Sequence, residues 1–300
     1  MSGAASQEWP IVRTTAPEVE CGSMSSHKSS ILVSNRFRAA RKHGWRAVLG
    51  VVFLAAVLTA HTEPVRAASH HRMVIEGQGE PTVVFEAGLG DTLDTWRPIQ
   101  MEIAGQCTRT VTYTRAGYPG SAAASGTRDA ATVVNELRWE LARRNVRPPY
   151  VLVGHSLGGL YMQYFARQYP EEVAGLVLVD STHREQQLPN ESSARRAGRA
   201  VVLYMPLIVR REFNDSILAG EQVSASPPPP AVPTIVLSST RALRGETPAS
   251  RALAARFQDE LAKEFPGARH VRVFESGHYI HVDRPEIVTE AVREVVGCTS

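Results

Sequence analysis

Cysteine is scarce in this chain of 300 residues: there are three. No Cys-x-x-Cys pair and no His/Cys group at zinc spacing occurs, which argues against a structural metal site. Cys21 lies near the amino end, leaving Cys107 and Cys298, the minimum for a disulfide in an exported chain. Long apolar runs are also missing. The uncharged stretch AVLGVVFLAAVLTA, Ala47 to Ala60, has fourteen residues, short of the ~20 that a membrane-spanning helix needs. An excess of one charge is confined to the amino end. Residues 1–67 hold eight Lys/Arg against four Asp/Glu, whereas residues 68–300 hold 25 against 26. The basic excess therefore belongs to the amino end, and nothing in this count suggests a nucleic-acid partner.

The amino end has the layout of a targeting segment. Arg36, Arg38, Arg41, Lys42 and Arg46 precede the apolar run, and VRAA follows with small residues at Val65 and Ala67. A positive region, a short apolar region and a small-x-small site describe a secretory signal. Residues 1–67 are read as this leader, with cleavage after Ala67 and Ala60 as the second choice. Met24 is an alternative start. The competing interpretation is an uncleaved anchor, so an extracytoplasmic location is expected, with membrane attachment only if the leader stays. The pair His70–His71 beside the cleavage site reads as a solvated tail.

Residues 68–300 alternate between strand-like and helix-like stretches. TVVFEAG (82–88), RTVTYTRAG (109–117), YVLVG (150–154), VAGLVLVD (173–180), PTIVLSS (233–239) and HVRVFES (270–276) read as strands. Helical spacing marks 127–145, 157–170, 249–265 and 284–296. This alternation predicts an α/β fold, a mostly parallel sheet with helices on both faces. Continuous Val/Ile/Leu runs suit strands buried on both sides. Residues 184–232 break the rhythm with Arg-rich stretches, the apolar VVLYMPLIV (201–209) and PPPP (227–230). They are read as a small lid insertion over the carboxyl edge of the sheet, the other interpretation being a disordered surface loop.

Between the strand YVLVG and the next helix lies GHSLGG, a G-x-S-x-G match formed by Gly154, Ser156 and Gly158. A serine on a sharp strand-to-helix turn needs small neighbours two residues away on either side. It also sits at a helix amino terminus, where free N–H groups favour negative charge. The bare motif is weak; its position between strand and helix gives it weight.

The segments VVFEAGLGDTLDTW, TRAGYPGS, VGHSLGG and ESGHYIHVDRPEIV together resemble the α/β-hydrolase superfamily, over roughly residues 72–300. The resemblance implies a nucleophile, Ser156, and an oxyanion hole from the backbone N–H groups of Leu157 and Leu89. Ala87-Gly88 stands where many relatives carry His-Gly. Four histidines follow the serine: His183, His270, His278 and His281. His278, after the last strand, is the expected base and His281 the backup, while His270 precedes that strand. The acid often follows the strand written here PTIVLSST, which ends in Ser238, Ser239 and Thr240. Asp180, at the tip of LVLVD, is assigned instead, with Glu246 second and Asp215 third. Asp283 reads as a helix N-cap. The family arrangement of the first and last helices on one face implies a Cys107–Cys298 disulfide.

The expected function is a secreted serine hydrolase acting on small carboxylic esters, with no cofactor and no metal. The lid's apolar stretch leans towards acyl or aromatic esters. Peptidase, lactonase or acyltransferase chemistry on the same triad, or a non-catalytic binding protein on this fold, are the alternatives.

Overall fold

A computed structural model describes residues 70–186, 205–242 and 246–298. The leader, both proposed cleavage sites and residues 187–204 of the insertion lie outside the described residues.

Seven strands form one sheet in the order β1-β3-β2-β4-β5-β6-β7. They are β1 Arg72–Glu76, β2 Thr82–Glu86, β3 Thr110–Thr114, β4 Tyr150–His155, β5 Val173–Val179, β6 Thr234–Ser239 and β7 Arg269–Val273. β1 pairs antiparallel with β3, Arg72 opposite Thr114, and every other pairing is parallel. The six longer-range strands match the alternation seen in the sequence. β1 was not anticipated. Its RMVIE is half exposed, as an edge strand is, and gives no continuous apolar signal.

The helices are α1 Arg97–Gln106, α2 Ala130–Arg143, α3 Leu157–Gln168, α4 Leu207–Ala225, α5 Pro248–Glu264, the single turn α6 Ile280–Asp283 and α7 Pro285–Val296. The strand period of two splits the core. Val83, Phe85, Val151, Val153, Val177 and Val179 face Ile99 and Ile103 of α1 and Val288 and Val292 of α7. Val84, Leu152, Leu176 and Leu178 face the other way, onto Val133 and Leu137 of α2 and Leu160 and Phe165 of α3. Because both faces are covered, the central strands carry apolar side chains at every position rather than at alternate ones. This is the α/β-hydrolase fold anticipated from the sequence.

Local signals set the helix starts. Asp129 accepts from Thr132 N at 2.8 Å to begin α2, and Thr247 with Ser250 forms a capping box at α5. Asp283 does not cap α7, as its position had suggested. It accepts instead from Gly277 N at 2.8 Å and from Arg241 at 2.5 Å, holding the turn after β7. Cys107 and Cys298 are bonded, with Cα atoms 5.8 Å apart, tying the end of α1 to the end of α7. His71 is buried rather than a solvated tail: its N–H donates to Glu140 at 3.0 Å and its ring lies 3.3 Å from the same carboxylate. Hydrogen bonds from His71 and Arg143 overcome the upward push of burial and hold the Glu140 carboxyl down at about 2.

Within the described part of the insertion, Leu207–Ala225 form helix α4. In α4, Ala219 and Val223 join the core beside α2 and α3. Its first turn brings Ile208 against Gly117 and Val209 near Gly90, over the loops at the carboxyl edge of the sheet. Among the described residues, no helix is long and apolar enough to cross a membrane.

Candidate active site

Strand order reverses beside β4, and an α/β sheet opens a crevice at such a point. Ser156 stands there, between the last residue of β4 and the first of α3, with φ 52° and ψ −123°. Positive φ is costly for a residue with a Cβ. The turn is held by Ser156 N donating to Val179 O at 3.2 Å and by Thr182 N donating to Ser156 O at 3.0 Å. The flanking glycines are required by close approach. A Cβ on Gly154 would lie 2.6 Å from Gly159 Cα, and one on Gly158 would lie 2.7 Å from Glu86 O and strike Ala87 O. The same contact sets the loop after β2 directly against the start of α3.

His278 reaches the serine from the turn after β7. Its Nε2 lies 2.9 Å from Ser156 Oγ and its Nδ1 2.7 Å from Asp180 Oδ2. An ionised carboxylate only accepts, so Nδ1 carries the proton and Nε2 accepts from the serine hydroxyl. Asp180 sits just past the tip of β5, also at positive φ. Its N–H donates to Leu237 O at 2.7 Å. The residues without an acid supply its support: Ser239 donates to Asp180 from N to Oδ1 at 2.8 Å and from Oγ to Oδ2 at 3.0 Å.

The other candidates lie elsewhere. His183 pairs with Glu264 at 2.9 Å and stacks on Phe257. His270, near the amino end of β7, contacts Ser238 at 2.9 Å. His281 is buried on Trp96 and bonded to Thr95 Oγ1 at 2.8 Å. Asp215 accepts from Arg128 N at 2.7 Å. Glu246 lines the cavity beside the serine, but Asp180 is the carboxylate on His278.

Three imidazoles meet here. The His155 ring is 4.6 Å from that of His278 and 4.5 Å from that of His281. Burial first, then repulsion from the other two rings, drives the His155 pKa well down. Burial and the neighbouring His278 push His281 down to about 4. Both therefore stay neutral at pH 7. His155 Nε2–H donates to the His278 carbonyl at 2.9 Å and fixes that residue's backbone. Among the described residues, no group of His, Cys, Asp or Glu is arranged to hold a metal ion.

The loop after β2 is fixed by a buried arginine. Arg115 donates to Ala87 O at 2.6 Å and Gly88 O at 2.8 Å, and pairs with Glu86 at 2.6 Å and Glu212 of α4 at 2.8 Å. Tyr118 Oη accepts from Gly90 N at 3.0 Å and donates to Glu212 at 2.7 Å. The carbonyls of residues 87 and 88 are thus turned towards Arg115. Among the described residues nothing accepts from Leu89 N–H. Leu157, as the first residue of α3, has an N–H without an intrahelical acceptor.

Sequence reasoning missed Ser239, Arg115 and Glu212 as supports. Ser239 carried a signal, a polar run at a strand tip where the site is built. Arg115 lies 97 positions from Glu212, and nothing local connects them.

The fold and this arrangement define a hydrolase of the α/β class. Residues 83–291 match the model of the alpha/beta hydrolase family, so the chain belongs to that family. The uncharacterized protein YqjL of Bacillus subtilis is 27% identical over 240 residues, 78% of this chain and 90% of YqjL. A thermophilic esterase from Thermogutta terrifontis superposes with a TM-score of 0.56 at 20% identity, covering 75% of this chain and 92% of that one. An enol-lactonase from Burkholderia xenovorans superposes with a TM-score of 0.54 at 20% identity, covering 76% and 96%. At these identities the structural likeness shows the fold.

Proposed function

We propose that this hydrolase is an exported serine esterase that cleaves small carboxylic esters through an acyl-enzyme. The observation that carries the reading is the continuous chain Ser156–His278–Asp180, at 2.9 and 2.7 Å. Ser156 Oγ attacks the acyl carbonyl while His278 Nε2 takes its proton. His278 then returns that proton to the departing alcohol. Asp180, accepting from Nδ1–H, fixes the tautomer and stabilises the imidazolium. The N–H groups of Leu157 and Leu89 receive the developing oxyanion. Water repeats the sequence and releases the acid. Neutral His155 and His281 leave His278 as the proton carrier of the cluster.

Solved relatives described as an esterase and an enol-lactonase favour acyl transfer to water. The Cys107–Cys298 bond and the leader favour an oxidising, extracytoplasmic location. No nucleic-acid partner is proposed, and membrane attachment only if the leader remains.

Replacing Ser156 by Ala is expected to abolish turnover of a 4-nitrophenyl ester and labelling by a fluorophosphonate. Wild-type protein that neither turns over nor labels would instead be a non-catalytic binder on this fold. Amino-terminal sequencing of the exported protein checks cleavage, with Ala68 the expected first residue.

A further inference from the structure

A cavity of about 580 Å³ opens from the Ser156 hydroxyl towards β6 and α5. Most of its described lining residues carry a polar group, Ser239, Thr240, Gln258 and Arg251 among them, and the wholly apolar side chains among the described lining residues are those of Ala254 and Ala255.

Arg251 is the unusual member. Its guanidinium donates to Ser239 Oγ at 3.4 Å and to Ser239 O. Those bonds use two of its five N–H groups. Some other half-buried arginines of this protein have carboxylate partners, Arg97 with Glu76 at 2.9 Å and Arg138 with Glu172 at 2.5 Å among them, whereas Arg211 donates to the Gly126 carbonyl. Among the described residues, the bonds of the Arg251 guanidinium go to Ser239 and to no carboxylate, and the first turn of α5 contains no acidic residue. Of the carboxylates that line the cavity, Asp180 is already engaged by His278 and Ser239, and Glu246 is engaged as well. The second lining arginine, Arg272, is paired with Asp259 at 2.8 Å. A guanidinium held by Ser239, with donors that no described residue takes, matches a planar carboxylate.

Resting on the ester-hydrolase reading, we propose that the substrate carries a carboxylate besides its scissile ester, and that Arg251 binds it. Arg251 is then a substrate-binding residue that sets specificity. Its bonds to Ser239, which holds Asp180, would also couple occupancy of the cavity to the acid of the triad.

The test compares 4-nitrophenyl hemiesters of succinate, glutarate and adipate with neutral isosteres that end in an isopropyl group. Rates are corrected with the Ser156→Ala protein, since the hemiesters also hydrolyse unaided. We expect at least one hemiester to exceed its isostere in kcat/KM by about tenfold, and 1 M salt to reduce that ratio. In Arg251→Met the ratio is expected to fall to about one, with Arg251→Lys in between. The wild-type ratio decides even if Arg251→Met folds poorly. Neutral isosteres preferred at every chain length, or a ratio unchanged in folded Arg251→Met, would overturn the proposal. If neither series is hydrolysed above the Ser156→Ala rate, the esterase reading fails first and the specificity inference goes with it.

Discussion

Ser239 holds Asp180 by two hydrogen bonds, from its N–H to Oδ1 at 2.8 Å and from its hydroxyl to Oδ2 at 3.0 Å. The strand tip that lacks an acid therefore orients the acid contributed by its neighbour. Ser239→Ala removes the hydroxyl bond and spares the backbone one. A single hydrogen bond to a charged group contributes ~1.5–3 kcal/mol, so kcat/KM for a 4-nitrophenyl ester is expected to fall by about tenfold or more. Asp180→Asn, which no longer fixes the tautomer, is expected to lose on the order of 10⁴ in kcat. Equal rates for wild type and Asp180→Asn would remove Asp180 from the mechanism.

Arg115 is expected to act on both stability and rate. It is buried with Glu86 and Glu212 and holds two carbonyls of the loop after β2. Arg115→Met leaves two buried carboxylates without their cation, a loss of ~3–5 kcal/mol. For a domain of this size that lowers Tm by on the order of 10 °C. Loosening the loop should also lower kcat, measured well below the new Tm. A variant as stable and active as wild type would show that the clamp is dispensable.

His281 makes stability fall on mild acidification. Its folded-state pKa, pushed down to about 4 by burial and by His278, lies below the ordinary 6.5. The fold thus favours the neutral ring. The contribution is complete above pH 6.5 and is lost as pH drops from 6.5 to about 4, with a ceiling of ~3 kcal/mol. His155 adds in the same direction. Urea unfolding between pH 7 and 4 should show this decline, and His281→Gln should make it shallower. An unchanged slope in the variant would contradict the assignment.

The Cys107–Cys298 bond joins residues 191 positions apart. Closing a loop of that length stabilises by ~5 kcal/mol in the chain-entropy model, with measured values mostly ~2–4 kcal/mol. Cys298→Ser is expected to unfold at a Tm lower by roughly 5–15 °C, and reducing agent should lower the wild type but not the variant. A reductant-insensitive wild type would mean that the thiols are free.

Some of the site was readable because its rules are local. The serine turn depends on small residues two positions away, and the strand–helix alternation depends on short-range periodicity. His278 was expected from the family resemblance and its place after the last strand, and Asp180 was the first of three carboxylates that the resemblance left open. Other features had no local mark. β1 is a half-exposed edge strand paired with β3, and His71 is buried among Glu140, Glu136 and Tyr113. Asp283 stands where an N-cap would, but tertiary contact with Gly277 and Arg241 takes its carboxylate.

By itself, then, the sequence determined the layering of the sheet and the backbone turn at Ser156, because burial on both faces and steric closeness act over a few residues. Only the tertiary structure decided which carboxylate meets His278, that Ser239 orients it, that Arg115 ties α4 to the loop after β2, and that Arg251 lines the cavity with no carboxylate bonded to it among the described residues. Those relationships join residues tens to more than a hundred positions apart. Their energies depend on distance and burial in space, which no local pattern records.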